Sequence, residues 1–446
     1  MNILIVCTLF PPDSAIAAVR PYMFAKYLSK AGHQVTVLRS GELFHQPDNS
    51  YEDMNQNVRV VSYFGSDSPA ERFERGMYVR EETEKLKYYK RIPQPIRKVG
   101  RFILDPWFAI KRLRSIRKKF IVMKGAIDKL KDKEWDIVFS TYGGLENIWG
   151  GQYAAKTLNA KWIQDFRDSV VWFNNLEEYT WNVYARYIQK RTVKNADKCT
   201  VISEGLKDRF QTGSRTENII TLYNGYEYTE ETDSDSLTID SDHLTICYLG
   251  TMYSERVCAL DILLGSIKRL INSGDIEMNR IRFVYGGQDE EEVRKVFNKY
   301  KMLDVLNCVG YVDRNTAQRI QAQSDLFLVL SWNTKNSQGI LTGKFYEGVK
   351  VRRPILAVVA GEVPRSELFR LNEKYHYGFC YDEGMAETQH DSFLEYIKHS
   401  YEIKMEKGII DYEQNAELER VFRYDYLAKK LEDLMESLVE DNGEKK

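Results

Sequence analysis

"DLFLVLSWNTKNSQGILTGKFYEGVKVRRPILAVV", residues 325–359, contains one complete unit of the fold. The apolar runs at 325–330 and 354–359 each predict a buried strand. Between them, Thr342-Gly343-Lys344 begins a short helical pattern. A strand, a helix and a second strand in this order form a βαβ unit, in which the two strands are parallel. The stretch therefore predicts an α/β fold.

The same alternation of short apolar runs and helical patterns continues along the chain. Strands are predicted at 2–8, 34–39, 59–63, 136–140, 161–165, 199–203, 219–223, 244–249, 282–285, 306–309, 325–330, 354–359 and 378–381. A polar stretch, "YEYTEETDSDSLTIDSD" (226–242), interrupts the pattern after the seventh strand, as an interdomain linker does. We predict two doubly wound Rossmann-like domains, an N-terminal one at 1–226 and a C-terminal one at 243–420, joined by a linker at 227–242.

Composition excludes several classes of protein. The net charge of −1 across 446 residues gives no global attraction to nucleic acid. No run of 18 apolar residues occurs, and the start lacks the basic region of a signal peptide. The cysteines are scattered without C-x-x-C spacing, which favours reduced thiols in a cytosolic protein over a disulfide frame or a zinc site. They are Cys7, Cys199, Cys247, Cys258, Cys308 and Cys380.

The predicted helix that starts at Thr342 has the features of a nucleotide contact. Parallel sheets bind ligands outside the carboxyl ends of their strands, where helix N-termini gather, and facing edges of two such sheets form one cleft. Gly343 allows close approach of a phosphate, and Lys344 adds a positive charge. Glu347 lies one turn further on the same face, where its carboxylate can accept hydrogen bonds from a ribose diol. The alternative is an ordinary solvated ion pair between Lys344 and Glu347.

Several segments together resemble the family-4-type glycosyltransferases of the GT-B fold. "GKFYEGVKVRRPILAV" (343–358) resembles that family's "GK-x-x-E-Y … G-x-P-I-L-A" segment, and "NILIVCTLFPPDSAIAAVRPYMFAKYLSKAGHQVTVL" (2–38) resembles its first βαβ unit. "WIQDFRDSVVW" (162–172) is similar to the subgroup that builds bacterial capsules and surface polysaccharides. "LYNGYE", "YLGTMYSER" and later segments follow in family order. The resemblance implies a GT-B fold whose C-terminal crossover helix and tail, 421–446, pack back toward the N-terminal domain.

The resemblance also implies roles for residues of the C-terminal domain. Glu347 would contact the ribose of a nucleotide-sugar donor, and Thr342, Gly343 and Lys344 would lie near the diphosphate or the donor sugar. A second group would border the diphosphate and the base, namely Gly250, Thr251, Gly286 and Gly287. Arg256 and Lys344 are the predicted catalytic residues, because they would stabilise the leaving diphosphate. Arg256 has the alternative interpretation of a surface residue on a loop, and Gly286 that of a plain strand-to-helix turn.

Four residues of the N-terminal domain are predicted to lie on the acceptor side. They are Arg20, Asp165, Arg167 and Asp168. Three charges that directly follow a buried strand must be solvated or paired, because unpaired burial costs several kcal/mol. The alternatives are a salt bridge from Arg167 to an aspartate that only braces the structure, and for Arg20 a place on a helix surface.

Some positions depart from the family pattern. Many relatives carry a glutamate eight residues before the one at 347, and this chain has Gly339 there; Ala17-Ala18 replace a Gly-Gly pair. No histidine stands near the loop 140–146, so Thr141, Tyr142, Glu146 or backbone groups would contact the donor sugar instead. The resemblance implies a retaining, metal-independent transfer without a cofactor, in which positioning and charge stabilisation matter more than a strong base.

The segment 85–124 is strongly basic. It carries fourteen Lys or Arg against one Asp, interspersed with aromatic and aliphatic residues. Such a segment suits anionic lipid headgroups. No nucleic-acid recognition module accompanies it, so we expect no nucleic-acid partner. The alternative is a solvated helix balanced by acidic neighbours.

Together these observations predict a peripheral protein on the cytoplasmic face of the cell membrane. Its predicted activity is transfer of a sugar from a nucleotide donor to a growing, lipid-linked bacterial surface glycan. The alternatives are a nucleotide-sugar epimerase of the same architecture, which needs an acid/base pair, and a non-catalytic GT-B subunit that supports a partner transferase.

Overall fold

A computed structural model describes residues 1–41, 56–64, 94–170, 179–211, 216–228 and 240–443, with side chains described outside 94–104 and 441–443. The chain divides into two compact units. The first contains Met1–Ile202, Leu206–Tyr223 and Tyr424–Lys446, and the second contains Ser203–Gly205 and Asn224–Arg423. Among the described helices, none combines the length and apolar content needed to cross a membrane.

The first unit is built on a sheet of seven parallel strands. They are β1 (Asn2–Val6), β2 (Gln34–Arg39), β3 (Val58–Ser62), β4 (Ile137–Thr141), β5 (Lys161–Phe166), β6 (Lys198–Val201) and β7 (Ile219–Thr221). The spatial order is β3-β2-β1-β4-β5-β6-β7. The order reverses between β1 and β4, so the carboxyl ends of these two strands mark the switch point of this sheet.

The described helices that lie wholly or mostly in the first unit are α1 (Ile16–Lys30), α2 (Gln94–Asp128), α3 (Leu145–Leu158), α4 (Tyr179–Asn195), α5 (Glu204–Gln211) and α13 (Tyr424–Gly443). The short helix α12 (Ala416–Val421) precedes α13 and belongs to the second unit. The helix α13 contacts α1, with the rings of Tyr424 and Phe24 6.1 Å apart. Its Glu432 also lies 2.7 Å from Nε2 of His33. The predicted return of the C-terminal helix to the N-terminal domain is therefore confirmed.

The second unit contains a sheet of six parallel strands. They are β8 (Leu244–Leu249), β9 (Ile281–Gly286), β10 (Leu306–Cys308), β11 (Leu326–Trp332), β12 (Ile355–Ala360) and β13 (Gly378–Asp382). The spatial order is β10-β9-β8-β11-β12-β13, so the switch point lies between β8 and β11. The helices are α6 (Ser254–Ser273), α7 (Glu290–Lys299), α8 (Arg314–Ala322), α9 (Gly343–Val351), α10 (Glu367–Tyr375) and α11 (Ala386–Lys407).

Both sheets are buried on their two faces, as doubly wound sheets require. Every residue of β8 and of β12 is buried, for example. All thirteen predicted strands are present, with ends that differ by a few residues, so the predicted α/β fold class is confirmed. Most of the predicted linker, 229–239, lies outside the described residues, and so does 85–93 of the basic segment.

Candidate active site

The helix α9 lies very close to the second sheet. A Cβ atom at Gly348 would come within 2.8 Å of Phe327 in β11 and 2.9 Å of Ile355 in β12. Phe345 and Val349 are fully buried on the same side. The helix ends where Arg352 adopts a left-handed conformation with φ of 53°. Glycine at 348 permits this close approach because it has no side chain. The close packing against the sheet then fixes the position of the whole short helix, including its start.

The start of α9 offers hydrogen-bond donors. Thr342 is the N-cap residue, but its side chain makes no capping bond to the helix, and its buried Oγ1 has no hydrogen-bond partner among the described residues. Apart from the chain neighbours and the backbone of the helix itself, no heavy atom of the described residues lies within 4 Å of the place that a Cβ of Gly343 would occupy. Since the first amides of a helix lack partners inside the helix, this N-terminus can bind an anion.

Lys344 and Glu347 form the ion pair that their spacing allows, and a third residue joins them. Lys344 Nζ lies 2.6 Å from Glu347 Oε2. Gln321, a buried residue of α8, donates from Nε2 to the same oxygen at 2.8 Å. Among the described residues no hydrogen bond reaches Oε1, and the Glu347 side chain is 40% exposed. The ordinary solvated ion pair therefore does not describe Glu347 fully. A residue of the neighbouring helix α8 orients its carboxylate, and the oxygen Oε1 remains open to a ligand.

The loop after β8 meets α9 at the switch point of the second sheet. Gly250 has a φ of 155°, and its amide donates to the carbonyl of Gly286 at 2.7 Å. A Cβ at Gly250 would lie 2.9 Å from Cε of Lys344. Lys344 therefore runs directly over the backbone of Gly250, and a larger residue there would have to displace it.

Arg256 lies beside this loop, on the first turn of α6. Its Nη1 donates to the carbonyl of Thr251 at 2.7 Å, and its guanidinium sits 4.8 Å from the ring centre of Tyr253. The hydroxyl of Tyr248 donates to the same carbonyl at 3.1 Å, and burial raises the pKa of Tyr248 to about 12. Among the described residues, the buried Nε of Arg256 has no partner. A positive charge thus stands beside the loop that contains Gly250.

Gly286 and Gly287 have neighbours that leave little room for a side chain. A Cβ at Gly286 would lie 2.8 Å from the side chain of Leu249, and one at Gly287 would lie 2.5 Å from the carbonyl oxygen of Gly250. These contacts account for both glycines through packing. Their position next to the nucleobase stays a prediction.

The predicted acceptor-side residues Arg20 and Asp165 bind each other. Arg20 Nη2 and Nε donate to the two carboxylate oxygens of Asp165 at 2.8 and 3.1 Å, and both residues are buried. Arg20 also donates to the carbonyls of Leu222 and Tyr223, at 2.9 and 2.6 Å. The pair thus ties α1 to β5 and to the end of β7. Sequence reasoning had offered Arg167 as the partner for an aspartate, and the guanidinium that reaches Asp165 is that of Arg20.

Asp165 stays ionised despite complete burial. Thr141 and Thr200 add hydrogen bonds to its carboxylate at 2.8 and 2.7 Å. Burial raises the pKa of Asp165, but the charge of Arg20 and the hydrogen bonds from Arg20, Thr200 and Thr141 outweigh it, so the pKa lies below its ordinary value. The geometry favours a bracing role for this pair at the carboxyl edge of the first sheet.

Arg167 and Asp168 follow β5 and are more accessible. The half-buried Arg167 donates to the carbonyls of Ala17 and, at 3.1 Å, Tyr142, which lie after β1 and β4 respectively. Burial lowers the pKa of its guanidinium. Asp168 is exposed. Arg167 therefore joins the first turn of α1 to the loop after β4 at the switch point of this sheet. Asp168 is the charge of the predicted group that is most open to a ligand.

The loop after β4 carries the predicted substitutes for a histidine. Thr141 is committed to Asp165, whereas burial raises the pKa of Tyr142 to about 12, so its hydroxyl stays protonated. Glu146 is buried in the first turn of α3. Of the other departures, Gly339 has a φ of 71°, which favours glycine. At Ala17 the backbone carbonyl accepts the bond from Arg167, a contact that does not depend on the side chain.

Sequence reasoning missed Gln321. In "RIQAQSD" it is one of several polar residues near the end of a helix, and nothing in that pattern distinguishes the buried Gln321 from the less buried Gln323. It also missed a buried ion pair at the opposite edge of the second sheet, where Lys404 Nζ lies 2.7 Å from Asp325. Burial there raises the pKa of Asp325 more than Lys404 and the amide of Thr245 lower it.

Comparisons with known proteins identify the fold. No family model matches the sequence, and no curated protein matches it. Sucrose-phosphate synthase from Thermosynechococcus elongatus is similar in structure, with a TM-score of 0.61, 12% identity and coverage of 98% of this chain and 99% of that chain. Alr3699/HepE from Anabaena, in complex with UDP and glucose, is similar with a TM-score of 0.56, 12% identity and coverage of 98% and 100%.

A putative UDP-N-acetylglucosamine 2-epimerase from Listeria monocytogenes is also similar, with a TM-score of 0.51, 10% identity and coverage of 99% of this chain and 97% of that chain. These likenesses extend over nearly the whole chain. They show that it has the GT-B fold that the sequence resemblance implies.

Proposed function

We propose that this protein is a glycosyltransferase that moves a sugar from a nucleotide-sugar donor to a glycan acceptor. The observation that carries the proposal is the assembly at the switch point of the second sheet. There the start of α9 and Lys344 lie against Gly250, and Gln321 holds the carboxylate of Glu347. The likeness to HepE, which was solved with UDP and glucose, supports the same donor class.

The proposed donor contacts divide along α9. The diphosphate would lie at the helix start, where the amide end of the helix, the Oγ1 of Thr342 and the charge of Lys344 are available. The ribose would lie one turn deeper, where Oε1 of Glu347 can accept from a diol. Because Lys344 already bonds Oε2, a bound diphosphate competes with Glu347 for the Lys344 ammonium group.

The proposed chemistry is retaining and needs no metal. The bond between the anomeric carbon and the diphosphate oxygen breaks, the acceptor oxygen bonds the same face of that carbon, and the departing phosphate takes the acceptor proton. The charge that develops on the diphosphate is the charge that Lys344, Arg256 and the helix start would stabilise. Arg256 is suited to this role because its guanidinium already stands beside the loop that contains Gly250.

The proposed acceptor is a growing bacterial surface glycan carried on a lipid, as in capsule synthesis. Asp168 and Arg167 are the proposed acceptor contacts with the best access, whereas Arg20 and Asp165 would act by bracing the edge. The basic segment 85–124 supports a peripheral location on the inner face of the cell membrane.

The likeness to an epimerase keeps a second enzyme activity in view. An epimerase needs an acid/base pair, and none of the described histidines lies in the donor assembly. His243 pairs with Asp240, His390 with Arg269 and His33 with Glu432. A non-catalytic subunit that supports a partner transferase is the third candidate, because no acid stands at Gly339.

A ligand screen followed by turnover assays tests the proposal. We expect one class of nucleotide sugar, from a panel with uridine, guanosine and other bases, to raise the melting temperature, because a ligand stabilises the state that binds it. The same donor should be hydrolysed or transferred by the wild type and not by Glu347→Gln. Epimerised donor without transfer would support the second activity, and stabilisation without turnover the third.

The control variant is Asp275→Asn. Asp275 forms a 2.7 Å ion pair with Lys398, is exposed to a similar degree as Glu347, and precedes β9, at the edge away from the proposed site. It should keep wild-type turnover. Equal loss of turnover in both variants would contradict the assignment of Glu347.

A further inference from the structure

The helices α2 and α4 together carry an unusual concentration of positive charge. Their sequences contain ten Lys or Arg in α2 and four in α4, and the only acids are Asp105 and Asp128. The two helices contact each other, and the guanidinium of Arg112 lies 4.1 Å from the ring centre of Trp181. They therefore form one basic layer of the first unit.

Neither acid neutralises the exposed side of this layer. Asp105 is buried and accepts from the amide and hydroxyl of Thr180 at 2.8 and 2.6 Å, which caps the start of α4. Asp128 ends α2, where it pairs with Lys131 at 2.8 Å and accepts from Tyr153. Asp105, the one aspartate of the basic segment 85–124, therefore has a structural partner and does not offset the charge of the exposed side.

The solvent side of α2 is both basic and apolar. The side toward the core carries the buried residues Ala109, Met123 and Ile127. At 100° per residue, the opposite side carries Trp107, Ile110, Lys111, Arg114, Lys118, Ile121 and Val122, all exposed. Among the described residues, no carboxylate forms an ion pair with Lys111, Arg114 or Lys118. On α4, every fourth residue adds to the exposed apolar set, namely Tyr179, Val183 and Tyr187.

We infer that this basic-apolar face, formed by the exposed residues of α2 and α4 just named, binds the surface of an anionic phospholipid bilayer. Positive charge complements the headgroups, tyrosine and tryptophan suit the interface, and the aliphatic side chains enter the boundary of the acyl chains. Nucleic acid is negatively charged like the headgroups, but it offers no apolar environment for Ile110, Ile121 and Val122. The lipid surface is therefore favoured.

The inference deepens the proposed function and rests on it for the biological reason to bind a bilayer, because a lipid-linked acceptor is available only at a membrane surface. Binding to a bilayer is nevertheless measured without a donor or turnover. Lipid binding without transfer would remove the proposed activity and keep the bilayer assignment, and transfer to a soluble acceptor without lipid binding would do the reverse.

Flotation of the full-length protein with vesicles provides the test. We expect binding to vesicles that contain phosphatidylglycerol, weak binding to pure phosphatidylcholine, and partial release at high salt. Lys111→Glu with Lys118→Glu should weaken binding at least about tenfold, because each basic residue contributes about 1 kcal/mol near an anionic surface. Trp107→Ser with Ile121→Ser should weaken binding that remains at high salt.

The matched control reverses two exposed lysines elsewhere, Lys407→Glu with Lys430→Glu, and should bind like the wild type. All variants should keep the wild-type melting temperature, since the changed side chains are exposed. The inference is overturned if the Lys111 and Lys118 variant binds vesicles normally. It is also overturned if RNA competes fully and the Trp107 and Ile121 variant still binds RNA and vesicles as the wild type does.

Discussion

The carboxyl edges of the two sheets each carry one ion pair, and the pairs differ in burial and in completeness. In the first sheet, Arg20 and Asp165 are buried, and four hydrogen bonds reach the Asp165 carboxylate. In the second sheet, Lys344 and Glu347 are 21% and 40% exposed, and the two bonds to Glu347 share one oxygen. The first pair is saturated and the second is not.

This difference indicates which edge has groups to offer a ligand. A buried, saturated pair can bind nothing new without losing a bond that compensates its burial. A half-exposed pair contributes only about 0–1 kcal/mol to stability. Its two groups can therefore give up their contact with each other and bind a ligand with little loss of stability. Similar residue types at similar places in two related sheets thus brace the structure in one, and in the other they remain available for the proposed recognition of a donor.

Asp165→Asn tests the first half of this comparison and should have the largest effect. It removes the buried carboxylate that accepts two hydrogen bonds from the Arg20 guanidinium, so we expect unfolding to become easier by about 3–5 kcal/mol. Chemical denaturation monitored by fluorescence measures the change. A loss below about 1 kcal/mol would contradict the bracing role.

Two controls sharpen this result. Arg20→Leu combined with Asp165→Leu removes both charges and should recover part of the stability, because apolar side chains replace the whole buried ion pair. The effect of Asp165→Asn should also depend on pH. Since the folded pKa of Asp165 is lowered, its contribution is present above about pH 3.9, the unfolded pKa, and is lost as the pH falls through the folded value.

Glu347→Gln tests the second half. The pair with Lys344 is half-exposed, so we expect the free energy of unfolding to change by about 1 kcal/mol or less. Turnover of the donor should fall about 100-fold in kcat/KM, because the amide replaces a charged acceptor for the ribose. Denaturation and donor kinetics on one preparation measure both. If Glu347→Gln were strongly destabilised, the pair of Lys344 and Glu347 would have a bracing role, like that of Arg20 and Asp165.

The sequence was sufficient to predict the features that depend on neighbouring residues in the chain. It predicted the strands, the start of α9 and the glycine after β8, because a buried strand and a helix start have local signals. It did not predict the partners. Asp165 lies 145 positions from Arg20 and two from Arg167, and only the tertiary arrangement of α1 against β5 selects the distant one. Gln321 has no local signal, because its burial depends on how α8 meets α9.

Gly250→Ala should have a smaller effect on turnover than Glu347→Gln and a smaller effect on stability than Asp165→Asn. The φ of 155° disfavours a side chain, and the new methyl group would displace Lys344, so we expect a roughly tenfold loss in kcat/KM with about 1–3 kcal/mol of destabilisation. Gly274→Ala is the control, because Gly274 has a φ of 80° without any close neighbour. Equal loss of turnover in both would show that strain alone, and not Lys344, explains the result.

Gln321→Leu should have the smallest effect and isolates the orientation of Glu347. Removing one hydrogen bond to a charged oxygen should raise the KM for the donor about fivefold to tenfold with little change in kcat. Gln321→Glu should cost more at neutral pH, because a second carboxylate would face Oε2 of Glu347 at the distance of a hydrogen bond. Like charges raise each other's pKa, so that loss should diminish as the pH is lowered and one proton is shared. A Gln321→Glu variant with the pH profile of the wild type would show that Gln321 only fills space, and Oε2 would then depend on Lys344 alone.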